Sequence, residues 1–191
     1  MNREGGGAGA SAPALPASAP IIVTALFGAA DAAWLDGLRR THYPPERNQV
    51  PAHLTLFQHL APSLVEELGR RLTAETRGDQ APAARIAGII KFPEGTALRV
   101  ESPQLEAIRD RLADAFAPYL RPPDAAPWRP HVTIQNRVDR TVAKALQVRM
   151  AADFRPRPLE IIGLASWAYR GGPWQPIGRH LFSRSGRSPR N

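Results

Sequence analysis

His53-Leu-Thr-Leu-Phe57 and His131-Val-Thr-Ile-Gln135 repeat one short pattern of histidine, apolar, threonine, apolar, at positions 78 residues apart. In an extended strand successive side chains alternate between faces, so His53 and Thr55 share one face while the leucines take the other. Each copy therefore presents an imidazole and a hydroxyl on one surface and anchors itself in a core through the opposite one. We expect the two copies to mark equivalent positions in a duplicated unit.

The elements predicted around the two copies follow one another in the same order. The first histidine strand, over 52–58, precedes a helix capped by Ser63 and a hairpin over 84–101 that turns at Pro93-Glu-Gly95. The second strand, over 131–138, precedes a helix over 140–150 and a hairpin over 159–183 that turns at Gly171-Gly-Pro173. This repetition indicates an internal duplication.

Two further helices and one strand complete the predicted domain. The strand covers 21–27, and Asp31 is expected to cap the helix that follows it. The second helix, over 103–119, has a stripe at helical spacing formed by Leu105, Ile108, Leu112 and Phe116. We expect one domain over 20–183 between disordered tails at 1–19 and 184–191.

The composition narrows the class of protein. The chain has no cysteine, which excludes disulfides, thiolate metal sites and cysteine nucleophiles, and none of its apolar stretches approaches the ~20 residues of a bilayer span. We therefore expect a soluble cytoplasmic protein. The net charge is +8, and 23 of the 25 basic residues are arginine, which is consistent either with attraction of a polyanion or with GC-rich coding.

The two motifs suit acid–base chemistry at a phosphate. If the halves pack as a pseudo-twofold pair, both imidazoles can face one cleft, where one accepts a proton and the other donates one. The hydroxyls of Thr55 and Thr133 can donate hydrogen bonds to non-bridging phosphate oxygens. We expect His42, His59 and His180 to be ordinary surface or core residues.

His53/Thr55 and His131/Thr133, with Pro130 before the second histidine, resemble the 2H phosphoesterase superfamily, in its 2′,5′ RNA ligase and RNA 2′,3′-cyclic phosphodiesterase branch. The resemblance implies an α+β fold of two pseudo-twofold lobes, each an antiparallel sheet flanked by helices, with a central cleft. It implies hydrolysis of a 2′,3′-cyclic phosphate on RNA or a small nucleotide to a 2′-phosphomonoester, or the reverse 2′,5′ joining. It implies no metal and no cofactor.

Further residues are candidates for substrate binding. Strand alternation places Phe57 and Gln135 on the faces of their histidines, where Phe57 either stacks on a base or is buried at the strand end. Arg137 and Arg170 are candidate phosphate partners, since a guanidinium binds two oxygens at once. Corresponding hairpin positions add a set of possible cleft residues, namely Lys91-Phe92 and Tyr169-Arg170.

Two other functions remain open on the sequence. A non-catalytic RNA-binding module would use the same cleft and the basic charge without turnover. A metallohydrolase would need more ligands than two histidines, and the two strands supply no Asp, Glu or Cys to complete a metal site. We expect a monomer without an obligate protein partner.

Overall fold

The computed structural model describes residues 19–78 and 80–183. The predicted tails therefore lie outside the described residues, apart from Ala19, which is buried rather than part of a tail. None of the helices in these two ranges combines the length and the apolar character that a membrane crossing requires.

Within these ranges the chain forms five α-helices, three short 3-10 helices and eight strands. The helices are α1 Ala29–His42, α2 Val65–Arg77, α3 Pro103–Phe116, the short α4 Pro122–Ala125 and α5 Arg140–Ala152. The strands are β1 Ile21–Phe27, β2 Leu54–Leu60, β3 Ala84–Phe92, β4 Gly95–Glu101, β5 His131–Asn136, β6 Arg157–Leu159, β7 Ile161–Ala168 and β8 Gln175–Leu181. Every predicted element is present, with ends displaced by three residues or fewer, whereas α4 and the separate strand β6 were not predicted.

All eight strands belong to one antiparallel sheet in the order β6-β3-β4-β5-β2-β1-β7-β8. The sheet consists of two four-stranded halves that meet where β5 lies beside β2, at the pair Leu54 and Val132. The order is symmetric about this junction, because each histidine strand lies innermost in its own half. The predicted α+β fold of two lobes is confirmed, and the sheets of the two lobes are continuous.

The hairpin that follows each histidine strand in sequence belongs to the opposite half of the sheet. After β2 and α2 the chain forms β3 and β4, and β4 pairs with β5. After β5 and α5 it forms β7 and β8, and β7 pairs with β1, the neighbour of β2. The hairpin of each copy of the duplicated unit therefore forms part of the lobe that contains the histidine strand of the other copy.

The helices pack on the sheet through the apolar stripes that the sequence predicts. The stripe of α3 is buried along its length, since Leu105, Ile108, Leu112 and Phe116 are at most 3% exposed. The Ser102 hydroxyl caps this helix by accepting a hydrogen bond from the backbone N–H of Leu105 at 3.3 Å.

Two predicted caps are wrong. Gly28 is the N-cap of α1, and Asp31 lies buried in its first turn. The Asp31 carboxylate instead accepts hydrogen bonds from the Glu160 backbone N–H at 2.7 Å and from Arg157 at 2.6 Å. Ser63 lies in a 3-10 turn, and α2 begins after Leu64 without a side-chain cap. The N-cap is the residue at which the chain enters the helix, and α1 begins three residues earlier than the sequence predicts. Asp31 therefore lies inside the first turn, where its carboxylate binds Arg157 and Glu160 instead of capping the helix.

Candidate active site

One cleft of about 1010 Å³ lies over the junction of the two half-sheets. His53, Thr55, His131 and Thr133 all line this cleft. Leu54 and Val132, between the histidine and the threonine of each motif, are fully buried, as strand alternation predicts. The structure thus brings the two sequence motifs together on one surface.

The register at the junction sets the spacing of the four side chains. Because Leu54 pairs with Val132 and the strands run antiparallel, His53 comes opposite Thr133 and Thr55 opposite His131. The two histidines are then diagonal neighbours, and such positions lie about 7–8 Å apart in a sheet. The two imidazoles therefore project from neighbouring positions of the sheet into the same cleft.

Both imidazoles are oriented by the same local hydrogen bond. Nδ1 of His53 lies 2.8 Å from the carbonyl oxygen of Pro51, and Nδ1 of His131 lies 2.7 Å from that of Arg129. A carbonyl oxygen only accepts, so Nδ1 carries the proton in each ring. In the neutral form Nε2 is therefore the nitrogen left free to accept a proton.

A β-bulge follows each threonine and moves the next side chain away from the cleft. Val23 pairs with Phe57 and Thr24 with Thr55, so β2 has one extra residue between them. In β5 the same irregularity lies between Thr133 and Gln135. The alternation on which the prediction relied fails at both places, because a bulge inserts one residue into the strand.

Because of the bulges, two residues that the sequence predicts to bind substrate lie outside the cleft. Phe57 is fully buried in the core, so base stacking is not available to it and the alternative of burial at the strand end holds. Gln135 is 3% exposed, and its side-chain oxygen accepts a hydrogen bond from Thr96 at 3.2 Å. Neither residue lines the cleft.

The remaining predicted residues divide between the rim and the outside of the cleft. The Phe92 ring lies 6.0 Å from that of His131 in an edge-on contact, and Tyr169 lines the cleft. Arg137 and Arg170 are exposed and do not line it. Arg137 has a φ of 55°, a left-handed conformation at the end of β5 that turns the chain toward α5.

Two side chains that the sequence did not single out brace the motifs across the junction. Trp128, three residues before His131, donates from its indole to the carbonyl oxygen of Thr55 at 2.8 Å. Arg39, on α1, donates to the carbonyl oxygen of Thr133 at 2.8 Å. Trp128 precedes the second motif in sequence and binds the first, whereas Arg39 precedes the first motif and binds the second.

Arg39 also holds the loop that leads to His53. It is 2% exposed and donates to Asn48 Oδ1 at 3.0 Å and to the carbonyl oxygen of Val50 at 3.3 Å. Asp36, also on α1, accepts a hydrogen bond from the backbone N–H of Ala52 in this loop at 2.6 Å. The position of the His53 ring therefore depends on α1.

The environment of His53 favours its neutral form. The pKa of His53 is lowered from 6.5 to about 4, chiefly by burial and in smaller part by the charges of Arg39 and His131. The hydrogen bond to Pro51 and the charge of Asp36 oppose this shift. Trp174 contributes to the covering, because its ring centroid lies 4.6 Å from that of His53. His53 is consequently unprotonated at neutral pH.

The cleft is rich in arginine. Among the residues that the structure describes, the lining contains one carboxylate, Asp124, and four guanidinium groups, those of Arg47, Arg109, Arg121 and Arg129. His59, expected to be an ordinary surface or core residue, also lines it. Within residues 19–78 and 80–183, no three or more His, Cys, Asp or Glu side chains are grouped so that they can hold a metal ion.

A family model described as the 2′-5′ RNA ligase superfamily matches residues 27–173, more than three quarters of the chain. The chain belongs to this superfamily, that of the 2H phosphoesterases, and is a phosphoesterase or ligase in kind. No curated protein matches it in sequence.

Solved structures share the fold at low sequence identity. Escherichia coli LigT complexed with 3′-AMP has a TM-score of 0.55 and 15% identity, over 87% of this chain and 99% of that one. TT0787 of Thermus thermophilus has a TM-score of 0.55 and 14% identity, over 85% and 97%. E. coli LigT complexed with ATP has a TM-score of 0.53 and 17% identity, over 87% and 99%. At these identities the similarity establishes the fold alone.

Proposed function

We propose that this protein hydrolyses a 2′,3′-cyclic phosphate, on an RNA end or a small nucleotide, to a 2′-phosphomonoester by metal-independent acid–base catalysis. The observation that supports this most directly is the convergence of two identically oriented imidazoles and two threonine hydroxyls on one cleft. LigT has been crystallised with 3′-AMP and with ATP, which supports a nucleotide ligand for this chain as well.

The proposed reaction uses both imidazoles in one displacement. Nε2 of one histidine takes a proton from water, the water oxygen attacks phosphorus, and the P–O3′ bond breaks while Nε2 of the other histidine protonates O3′. The hydroxyls of Thr55 and Thr133 donate to the non-bridging oxygens. Replacement of the water by a 5′-hydroxyl gives 2′,5′ joining, and the histidines exchange roles in the reverse direction.

The low pKa of His53 favours it as the base for hydrolysis. At neutral pH the free protein holds this ring unprotonated, with Nδ1–H bound to Pro51 and Nε2 open to the cleft. The acid would then be His131, which lies edge-on to the exposed ring of Phe92.

The decisive experiment is incubation of the purified protein with an RNA whose 3′ end bears a 2′,3′-cyclic phosphate, with and without chelator. We expect a 2′-phosphate product in both samples. Loss of activity in chelator with rescue by one metal would favour a metallohydrolase instead. His53→Ala and His131→Ala should each abolish turnover, whereas His42→Ala, outside the cleft, should not. Full activity in either cleft variant would exclude the mechanism.

The basic cleft supports a second candidate, an RNA-binding module without turnover. The arginines that line the cleft supply the charge for salt-dependent binding of a phosphate backbone. Salt-sensitive RNA binding together with cyclic phosphate that stays intact through long incubation would favour this function over hydrolysis.

We further propose that residues 20–183 act as one monomeric catalytic unit in the cytoplasm. The absence of cysteine fits a reducing compartment, and the exchange of hairpins makes the two lobes interdependent. Light scattering of the purified protein tests the monomer, and fractionation of cells tests the location.

A further inference from the structure

The cleft extends past the two motifs to a second group of polar side chains at the far end of β2. Gln58 and His59, which lie five and six residues beyond His53, line it there beside Arg109 and Arg121. A strand rises about 3.3 Å per residue, so this end lies roughly 15–20 Å from His53. The cleft is therefore longer than one nucleotide requires.

Arg109 is a buried cation in this region, and one of its nitrogens is buried without a hydrogen-bond partner. It is 5% exposed, and its Nε has no hydrogen-bond partner in the part of the chain that the structure describes. The guanidinium is fixed by a hydrogen bond to the carbonyl oxygen of Asp124 and by the Phe57 ring, 5.1 Å away. The nearest ion pair, to Asp110, is 3.8 Å long and lies at the surface. Buried charges are ordinarily paired and fully hydrogen-bonded, so a buried guanidinium that lines the cleft and has one unpartnered nitrogen favours an anion in the cleft beside it.

The neighbouring groups leave this end of the cleft positive. Both oxygens of the Asp124 carboxylate accept backbone N–H groups, from Gln58 at 2.7 Å and from His59 at 2.9 Å, so this carboxylate fixes the end of β2. Arg121 is exposed and forms no ion pair with any residue that the structure describes. A buried guanidinium and an exposed one thus lie on the same stretch of cleft.

We propose that Arg109 and Arg121 form a second phosphate subsite, which binds a backbone phosphodiester of an oligonucleotide while its terminal cyclic phosphate lies between His53 and His131. The inference rests on the proposed function and narrows its substrate to a single-stranded oligoribonucleotide end. A stacked strand advances about 3.4 Å per nucleotide, so the bound phosphodiester lies at most about six nucleotides from the reacting phosphate, and fewer in an extended strand.

The first test measures kcat/KM for 2′,3′-cyclic-phosphate substrates of one to eight nucleotides. We expect kcat/KM to rise about tenfold or more once the strand reaches the subsite, as for a charge-assisted hydrogen bond, and then to level off. Arg121→Gln should abolish the rise, whereas Arg140→Gln, an exposed arginine outside the cleft, should retain it. A kcat/KM that does not depend on length, or a rise that persists in Arg121→Gln, would overturn the subsite.

The second test locates the bound phosphate. In the eight-nucleotide substrate each phosphodiester is replaced in turn by a neutral methylphosphonate. The wild-type protein should lose the same tenfold at one or two adjacent linkages, and Arg121→Gln should lose nothing further there. Arg109→Lys, which keeps the charge but lacks the planar fork, should also weaken the dependence on that linkage. Equal losses at every linkage would indicate non-specific attraction and refute a built subsite.

The outcomes separate this inference from the proposed function. Hydrolysis of the mononucleotide without any length dependence refutes the subsite and leaves the chemistry standing. If no substrate is hydrolysed, the proposed function fails, and fluorescence anisotropy with the same oligonucleotides still decides the subsite. A loss of affinity confined to one linkage then supports it, and equal affinity for all methylphosphonate variants overturns it.

Discussion

Protonation of His53 should destabilise the fold by an amount that the structure allows us to state. The fall of its pKa from 6.5 to about 4 corresponds to about 3 kcal/mol, since one pKa unit is worth about 1.4 kcal/mol. Between these two values the unfolded chain binds more protons than the folded one, so the free energy of unfolding decreases as the pH falls through this window. At pH 5 about 2 kcal/mol should already be lost relative to pH 7.

The contribution of Trp174 to this shift can be isolated. Its ring lies 4.6 Å from that of His53 and tilted to it, so Trp174→Ala admits water to one side of the imidazole. We expect the pKa of His53 to rise toward its ordinary value, because desolvation is the largest cause of its lowering. Phe92→Ala is the matched control, because that ring contacts His131 instead.

The assay is an NMR titration of the histidine ring resonances, combined with urea unfolding at pH 7 and pH 5. His53→Gln should remove most of the difference in the free energy of unfolding between the two pH values. A wild-type His53 that titrates at or above pH 6 would refute the argument. So would an unchanged pH dependence of stability in His53→Gln.

Substitutions at three further residues test the hydrogen bonds that hold the two motifs and the register of the strands beside them. Trp128→Phe keeps an aromatic ring but removes the hydrogen bond to the carbonyl oxygen of Thr55. Thermal or urea unfolding should show that the free energy of unfolding falls by about 1–3 kcal/mol, and kcat should fall more than KM changes. Arg39→Met should raise the pKa of His53 in an NMR titration, because it removes a positive charge that lowers this pKa. Arg39→Lys keeps the charge, so it should lower kcat with little effect on the pKa of His53. Equal pKa values of His53 in the two variants would argue against the charge effect. Gly95→Ala places a Cβ against the Gln135 backbone, so chemical denaturation should show a loss of about 1–3 kcal/mol, and unchanged stability would contradict the observed strand register.

The local features of the fold could be predicted because they depend on residues close in sequence. The alternation in each His-x-Thr motif predicted which side chains are buried, and the stripe from Leu105 to Phe116 predicted the buried face of α3. The repeated order of elements also predicted two equivalent lobes. The exchange of hairpins could not be inferred, because pairing of β4 with β5 depends on contacts between distant parts of the chain.

The binding residues beyond the motifs were harder to predict, for physical reasons that differ from one residue to the next. Phe57 and Gln135 were misplaced because a bulge shifts the strand after each threonine, and only the adjacent apolar pair Leu56-Phe57 gave a sign of it. Trp128 and Arg39 act through backbone carbonyls of the opposite motif, which no local pattern encodes.

The junction explains why the site needs braces from outside the motifs. β2 and β5 pair at Leu54 and Val132. Backbone pairing at one position holds the two histidine strands together there but does not fix the angle between them. A strand held at one pair can still pivot, and a pivot changes the distance between the imidazoles. The bonds from Trp128 to Thr55 and from Arg39 to Thr133 lie on either side of that pair and oppose such a pivot. A misplacement of about 1 Å can cost on the order of a hundredfold in rate, so these two side chains should matter to turnover although neither is a histidine or a threonine of the motifs.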